Sequence, residues 1–460
     1  MNNFSVIINS IEIKNLKNVF NGKIVISKKP ESNTSKISSD IVGIYGQNGS
    51  GKTTVIQALD LFKKISIGMP IWSDMADCIA AGKDSCEISL SFYLQTEKSQ
   101  YKVDYIFSIG KTQEKNCSFL FETLKYSKYN EKEQKWTRNT PIFSCNYTNS
   151  IQVFEPKNRY DALVKQDKQN AINLSVAYKL SQERKTSFLF SPELSDILRK
   201  SEEFELFDIV STLSQYAREK LFVIQNLHNG IISLDVMPLA ILHSEKNKKI
   251  IGEIPTTLKE PLLTDINTFE VVSSVTDNMN IVISALVPGM SIGIKNYGKQ
   301  LLKDGIEGIR YELVSRRCDT EFPIRYESEG IKKLLSLLSI IIAMYNDSSV
   351  CIAIDELDAG IFEALLGTLL HTLEETGKGQ LIFTSHNLRP LEVLSKDNIV
   401  FTTTNPVNRY IRLKNVKDEN NLRDMYIRAL NLGGQEEDLT TDFRESEIRR
   451  ALRKAGKNGN

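Results

Sequence analysis

A glycine-rich loop near the start of the chain and a carboxylate pair near its end have the residue types and spacing for phosphate chemistry. The loop consists of Gly46, Gln47, Asn48, Gly49, Ser50, Gly51, Lys52, Thr53 and Thr54. Glycines allow so tight a turn that backbone N–H groups point at phosphate oxygens. Lys52 is expected between the β- and γ-phosphates, and the Thr53 hydroxyl is expected to ligate Mg²⁺. The loop therefore predicts binding of ATP together with Mg²⁺.

The carboxylate pair, Asp355 and Glu356, follows the apolar run 350–354, which predicts a buried strand. Asp355 would hold the magnesium shell, and Glu356 would polarise the water that attacks the γ-phosphate. His386 ends the next apolar strand, in the sequence Thr-Ser-His. Because neighbouring parallel strands end at one crevice, His386 is expected to reach the γ-phosphate as a sensor or hydrogen-bond relay. Lys52, Glu356 and His386 are thus the predicted catalytic residues for ATP hydrolysis.

Composition sets limits on the class of protein. The chain has 460 residues, of which 41% are hydrophobic and 25% charged, and its formal net charge is +1. Because this net charge is so small, no overall electrostatic field would attract nucleic acid or an anionic membrane. Any such contact must therefore come from a local patch of positive charge. Six cysteines occur without a C-x-x-C pair, which favours free thiols in a reducing cytoplasm. The longest nearly apolar run, 334–345, is too short for a bilayer, so we expect a cytoplasmic protein without a membrane partner.

The elements around these motifs predict an α/β protein. A short apolar run at 41–45 precedes the glycine loop, and 53–64 follows it with apolar residues at helical spacing. This strand–loop–helix context is the one that a phosphate loop needs. We predict four segments: an N-terminal lobe with the loop and a β meander (1–150), a mostly helical insertion (151–265), a C-terminal lobe (266–432) and a charged tail (433–460).

A further motif, Ser328-Glu-Gly-Ile-Lys-Lys333, opens an apolar helix. With the glycine loop, Asp355, Glu356, Asp358 and His386 it resembles the ABC-type ATPases of the SMC/RecF/OLD-like branch. It resembles more closely the prokaryotic AAA-type ATPases of phage-defence systems such as Septu and PARIS. The resemblance implies a P-loop NTPase fold, with an ABC-type two-lobed head, an antiparallel β subdomain and a helical insertion.

In such ATPases two heads pair, so that each nucleotide lies between the phosphate loop of one head and the signature motif of the other. The resemblance assigns Ser328 and Gly330 to that signature, where a hydroxyl and helix N-terminal amides suit a γ-phosphate. A simple serine N-cap is the alternative interpretation. Asp358 matches a dimer-contact aspartate, although an ordinary turn residue would also fit. The resemblance thus implies a homodimer or a higher homo-oligomer with composite ATP sites.

Two further elements of these ATPases have weaker counterparts in this chain. The resemblance implies a glutamine that contacts magnesium and water, and Gln152 and Gln182 both remain candidates. Lys17 and Asn18 occupy the place of an Asn-Phe-Arg/Lys element near the nucleotide. The basic C-terminal helix at 444–457 could bind phosphate or a partner, or be a solvated helix, because it also carries glutamates.

The resemblance leaves two main hypotheses for function. The first is an ATPase that acts as a sensor or scaffold and controls a separate effector, a nuclease or toxin, in antiphage defence. The chain shows no Toprim-type nuclease motif of its own after His386. The alternative is a RecF-type repair or recombination ATPase that clamps duplex DNA. A transporter subunit is less favoured because the signature is divergent, and a switch that binds ATP without turnover remains a further alternative.

Overall fold

The computed structural model describes residues 4–27, 39–112, 116–148, 153–201, 204–225, 236–245, 248–257, 260–414, 421–440 and 445–457. Its strands are β1 (Ser5–Leu16), β2 (Val19–Val25), β3 (Asp40–Tyr45), β4 (Ser85–Gln95), β5 (Gln100–Lys111), β6 (Cys117–Asn130), β7 (Lys135–Trp136), β8 (Thr140–Asn146), β9 (Leu221–Ile224), β10 (Val236–Glu245), β11 (Lys248–Thr257), β12 (Leu262–Asp265), β13 (Met290–Leu301), β14 (Glu307–Arg317), β15 (Thr320–Pro323), β16 (Cys351–Ile354), β17 (Gln380–Thr384), β18 (Ile399–Thr402) and β19 (Tyr410–Ile411). Its helices are α1 (Lys52–Ser66), α2 (Met75–Cys78), α3 (Lys157–Gln166), α4 (Gln169–Arg184), α5 (Pro192–Arg199), α6 (Phe204–Glu219), α7 (Ile266–Leu286), α8 (Glu329–Asn346), α9 (Glu363–Thr376), α10 (Pro390–Val393), α11 (Leu422–Leu432) and α12 (Glu445–Lys457).

A six-stranded central sheet in the order β19-β18-β3-β17-β16-β9 joins the two ends of the chain. Strands β18, β3, β17, β16 and β9 run parallel, and β19 is antiparallel to β18. The strand that ends in the Thr-Ser-His sequence, β17, therefore lies between the glycine-loop strand β3 and the acidic-pair strand β16. All three strands end at the same edge of the sheet, as the sequence predicted.

The strands of this sheet are buried on both faces, which explains their nearly continuous apolar sequences. On one face Val42 and Ile382 pack into the core that contains α1 and the antiparallel sheet. On the other face Ile41 and Phe383 pack into a second core, formed with α8, α9 and α11. The sheet is thus held between two layers, and its carboxyl edge is left to carry polar groups.

The N-terminal strands form a seven-stranded sheet in the order β2-β1-β4-β5-β6-β7, with β8 also paired to β6. Its paired strands are antiparallel, and residues alternate between buried and half-buried along β4 and β5. Such alternation is typical of a sheet with one face in the core. The predicted β meander is confirmed, and its buried face packs on α1.

The segment from 151 to 265 differs in part from the mostly helical insertion that we expected. Helices α3 to α6 occupy it as far as Glu219. Beyond that residue β9 joins the central sheet as an edge strand, and β10 and β11 form an antiparallel hairpin in which Pro238 lies opposite Pro255. Proline disfavours a helix interior because it lacks the N–H donor, which explains why this stretch is not helical. The boundaries of the four predicted segments stay a prediction.

The C-terminal lobe contains a small antiparallel sheet in the order β12-β14-β13, with β15 paired to β14. Helix α7 packs on this sheet in a third core, to which α8 contributes Leu334, Leu335 and Leu338. Helix α8 therefore connects the small sheet to the central sheet. Within the described parts of the chain, no helix is both long enough and apolar enough to cross a membrane.

Candidate active site

The glycine loop lies between β3 and α1, in a backbone conformation that only glycine adopts easily. Gly46 has φ 150° and Gly51 has φ 95°, both in the left-handed half of conformational space. A Cβ at Gly46 would overlap the Thr402 hydroxyl, and one at Gly51 would lie 2.8 Å from a methyl group of Val19. The loop is thus seated closely on β18 and on the start of β2, and larger residues would displace it.

Lys52 begins α1 and lies across this loop. Its Nζ donates hydrogen bonds to Gly46 O at 2.8 Å and to Gln47 O at 3.0 Å. Burial lowers the pKa of Lys52, while the nearby Asp355 and Glu356 carboxylates act in the opposite direction. The ammonium group thus lies against two carbonyls of the loop, and phosphate oxygens could replace these carbonyls as acceptors.

Thr53 and Asp355 meet at the edge of the sheet although 302 residues separate them. Thr53 Oγ1 donates to Asp355 Oδ1 at 3.1 Å, and the Thr384 hydroxyl donates to the same oxygen at 2.7 Å. The Thr384 oxygen in turn accepts the N–H of Glu356 at 2.8 Å. The Thr384 hydroxyl therefore joins Asp355 to the backbone of Glu356, and Asp355 itself joins the pair to the first turn of α1.

The oxygens of Thr53 and Asp355 fit the requirements of Mg²⁺. This ion prefers oxygen ligands and usually keeps several waters, with one or two carboxylates and the substrate phosphates completing its shell. Asp355 is 3% exposed, and the Thr53 and Thr384 hydroxyls both donate to its Oδ1 and hold the carboxylate in place. No group of three or more His, Cys, Asp or Glu side chains that could hold a metal occurs in the described ranges. Thr53 and Asp355 could hold Mg²⁺ only with phosphate and water as further ligands.

Glu356 has a left-handed backbone, with φ 52°, which is uncommon for a residue with a side chain. Its N–H donates to the Thr384 hydroxyl, and its carbonyl accepts a hydrogen bond of 2.6 Å from Lys333 Nζ. The next N–H, that of Leu357, donates to Thr384 O at 3.0 Å. Strained conformations of this kind persist where the surroundings over-determine them, and they cluster at functional sites.

Asp358 and His386 are brought together, but through the backbone. Asp358 Oδ2 accepts the N–H groups of His386 at 3.2 Å and of Asn387 at 3.0 Å. The other carboxylate oxygen, Oδ1, is buried without a hydrogen-bond partner. The imidazole of His386 is exposed. Asp358 therefore holds the His386 loop within its own chain, while its predicted contact with a partner head stays a prediction.

Ser328 is the N-cap of α8, and its hydroxyl accepts the N–H of Ile331 at 3.3 Å. The capping interpretation is thus present in the structure, and Ser328 is also exposed at the helix N-terminus. A Cβ at Gly330 would overlap Gly360 O, so the first turn of α8 touches the turn after Asp358. This close approach explains the glycine at position 330.

Four residues that were matched only weakly, or were given no role, in the sequence analysis support the glycine loop or the acidic pair. Thr384 was predicted only as part of a strand end, although its hydroxyl is the bridge described above. Asn18, matched weakly in the sequence, donates from its amide to Gly49 O. Arg409 donates to Asn18 O at 2.5 Å, and the Tyr410 hydroxyl donates to Gly51 O at 2.8 Å. No local pattern marks Arg409 or Tyr410, because their partners are far away in sequence.

The structure does not identify the glutamine that the resemblance implies near magnesium and water. The amide of Gln182, on α4, donates to Tyr147 O at 3.2 Å and to the Tyr178 hydroxyl at 3.1 Å. Gln152 lies outside the described residues. A different glutamine, Gln47 of the glycine loop, lies 3.2 Å from the Thr440 hydroxyl. The choice between Gln152 and Gln182 therefore stays open.

The central sheet, the glycine loop and the acidic pair define a P-loop ATPase with a two-lobed head of the ABC type. Residues 41–392 match the family described as "AAA domain, putative AbiEii toxin, Type IV TA system", and the chain belongs to this family. No curated protein matches the sequence.

The solved structures that match this chain include heads of SMC proteins and RecF. An SMC head bound to the C-terminal winged-helix domain of ScpA is 14% identical to this chain, with a TM-score of 0.44. The match covers 88% of this chain and 98% of the SMC head. The SMC head domain from Thermotoga maritima is 13% identical over 88% and 99% of the chains, with a TM-score of 0.38. RecF with ATP, a recombination mediator, is 12% identical over 83% and 94%, with a TM-score of 0.34.

Proposed function

We propose that the protein hydrolyses ATP with Mg²⁺ at the carboxyl edge of its central sheet. The observation that carries this proposal is the hydrogen-bonded junction of Thr53, Asp355, Thr384 and Glu356. In this junction Asp355, the proposed metal ligand, and Glu356, the proposed base, lie beside the first turn of the helix that follows the phosphate loop. The binding motifs alone are also consistent with a switch that binds ATP without hydrolysing it. The test must therefore measure ATP hydrolysis.

Each residue has a distinct role in this proposal. Lys52 and the loop amides bind the phosphates, and His386 senses the γ-phosphate. Thr53 and Asp355 hold Mg²⁺, which would neutralise charge on the phosphate oxygens. Glu356 accepts the proton of the attacking water. Phosphate release should be lost in Lys52→Ala with weakened ATP binding, and in Glu356→Gln with ATP binding retained. Release from Glu356→Gln at the wild-type rate would refute the base assignment.

We propose further that two copies pair head to head, with Ser328 and Gly330 of one copy facing the nucleotide of the other. Two large apolar side chains near this surface support the proposal. Tyr326, two residues before Ser328, is 70% exposed, and Phe362, two residues after Gly360, is 74% exposed. Contiguous exposed apolar patches with a polar rim often mark surfaces that a partner covers, and the proposed face would join these two side chains into such a patch. With ATP, the mass of Glu356→Gln should double in size-exclusion chromatography with light scattering.

The biological role that we propose is a sensor or scaffold that controls a partner effector in antiphage defence. Support comes from the motif resemblance and from a family description that names a putative toxin of a type IV toxin–antitoxin system. The test is to express the chain with its genetic neighbours and to count phage plaques with wild type and Lys52→Ala. Equal plating would contradict the proposal, and an effector that co-purifies with the ATP-trapped Glu356→Gln form would support it.

A RecF-type clamp on duplex DNA is the second candidate, and the exposed basic helix α12 is the observation that favours it. Arg449, Arg450, Arg453 and Lys454 are all exposed there. Cations on one helix could contact successive phosphates, and such binding weakens steeply as salt rises. A gel shift of duplex DNA that needs ATP, weakens with salt and requires no second protein would favour this function over effector control.

A further inference from the structure

A buried lysine, Lys333, lies in the second turn of α8, and its ammonium group is directed at the acidic-pair turn. The residue is only 4% exposed, which is unusual for a lysine. Most of the side chains that follow it in α8 are apolar core residues. Its Nζ donates to Glu356 O at 2.6 Å and to Ala359 O at 3.3 Å. Both acceptors are backbone carbonyls, one at each end of a four-residue segment.

That segment is the turn that carries the candidate base. Ala359 N–H donates to Glu356 O at 3.1 Å, and the left-handed backbone at Glu356 begins the turn. The ammonium group thus adds a second donor to a carbonyl that already closes the turn. Gly330, one helical turn before Lys333, packs against Gly360 at the other end. Two contacts from one face of α8 therefore fix residues 356–360.

A lysine is a costly residue at such a position, because burial penalises the charged form. Burial lowers the pKa of Lys333 to about 8, and the nearby Asp358, Glu356 and Asp355 act in the opposite direction. A methionine would fill similar space without this penalty. What lysine supplies, and an apolar residue cannot, is a pair of hydrogen bonds to the backbone of the turn.

We propose that Lys333 is a positioning residue that holds the backbone of Glu356 so that its carboxylate faces the attacking water. The inference rests on the proposed hydrolysis. The same helix begins at Ser328, which is proposed to face the nucleotide of a partner copy. Lys333 therefore joins the proposed signature of one ATP site to the base of the other site, within a single chain.

The first experiment separates positioning from general stability in the full-length chain. Lys333→Met should lower kcat by about 10- to 100-fold, the range of a misplaced general base, with the Kd for ATP within about threefold by calorimetry. Lys220→Met is the matched control, because Lys220 is an ion-paired lysine at the opposite, amino end of the same sheet. Unchanged kcat in Lys333→Met overturns the inference. Should Lys333→Met not fold, Lys333→Gln is measured with the same two outcomes.

The second experiment uses mixed dimers with one hydrolytic site. In the first dimer a Lys333→Met chain pairs with a Glu356→Gln chain, so the only active base has lost its own lysine. In the second, wild type pairs with Lys333→Met/Glu356→Gln, so the active base keeps its lysine and faces a signature helix that lacks one. We expect slow hydrolysis in the first dimer only. Slow hydrolysis in the second only, or equally in both, overturns the inference.

Failure of the proposed function has a different outcome. If Glu356→Gln forms no dimer with ATP, the composite site is wrong, and the split between kcat and Kd in Lys333→Met alone decides the role of this lysine. If the wild-type chain does not hydrolyse ATP at all, the proposed function fails, and the inference about Lys333 that rests on it is overturned too.

Discussion

Thr384 and Asp355, on neighbouring strands, are joined by a hydrogen bond of 2.7 Å, and the same threonine hydroxyl accepts the N–H of Glu356. Thr384 is fully buried. The side chain at the end of β17 thus fixes both members of the acidic pair relative to each other. The order of strands in the central sheet makes this contact possible, because β17 lies beside β16 and β3.

We therefore expect Thr384→Val to impair catalysis more than binding. The substitution keeps the shape of the side chain and removes its hydroxyl, which leaves the Glu356 N–H without its partner. Loss of a buried hydrogen bond costs about 1–3 kcal/mol of unfolding free energy. Phosphate release should fall at least tenfold at saturating ATP, roughly the effect of losing a positioning contact. Thr384→Ser keeps the hydroxyl and serves as the control, and equal rates for both variants would contradict the role.

A second prediction concerns the contact between α8 and the turn after Asp358. Gly330→Ala introduces a Cβ that overlaps Gly360 O, so the two backbones must separate. Overpacking of this kind costs about 1–3 kcal/mol, and we expect the ATP-dependent dimer of Glu356→Gln to be lost. Gly367→Ala is the control, because that glycine lies in α9 against the flexible side chain of Arg389. A stable dimer in Glu356→Gln/Gly330→Ala would show that the contact is not needed.

The exposed apolar residues near the proposed signature give a third prediction. Tyr326→Ala and Phe362→Ala should each weaken the ATP-dependent dimer of Glu356→Gln, because truncation of a central interface residue costs about 1–2 kcal/mol or more. The monomer should keep its thermal stability, since both side chains are largely exposed. Ile281→Ala, at a residue that is 74% exposed on α7, is the matched control. Dimer dissociation is measured by light scattering over a concentration series, and an equal effect of all three substitutions would exclude the proposed face.

The buried lysine predicts a pH dependence of stability. The pKa of Lys333 falls from the ordinary value of 10.5 to about 8 in the folded chain. Between these two values the unfolded chain binds a proton that the native chain has lost, so stability rises with pH. Relative to Lys333→Met, the wild type should gain up to about 3 kcal/mol from pH 8 to 10.5. Urea unfolding of both proteins without nucleotide measures this difference, and a constant difference across that range would contradict the shift.

The sequence predicted those features that are encoded by local pattern. The glycine loop, the apolar strand before Asp355 and the alternation along β4 and β5 each lie within one short segment, so their structures follow from nearby residues. The order of the motifs along neighbouring strands also allowed the convergence of Thr53 with Asp355 to be predicted.

Features that depend on distant pairings were not predictable in this way. Strand β9 is short and entirely buried, and only its pairing with β16 reveals that it belongs to the central sheet. Arg409 reaches Asn18 across 391 residues. Lys333 is one of two adjacent lysines, and its own acceptors lie in another motif. Arginine and lysine are common on protein surfaces, so the sequence context of Arg409 and Lys333 carries no signal of these contacts.

Because the backbone at Glu356 is left-handed, stability favours glycine at this position, whereas the proposed hydrolysis needs glutamate. Glycine would adopt φ 52° with less strain, and such relief amounts to about 1 kcal/mol for a left-handed site. An inactive Glu356→Gly protein should therefore tolerate more heat or urea than one with Glu356→Gln. Under the proposed role of Glu356 as the base, glutamate here lowers stability in exchange for activity, so a melting-temperature screen would enrich for variants that no longer hydrolyse ATP.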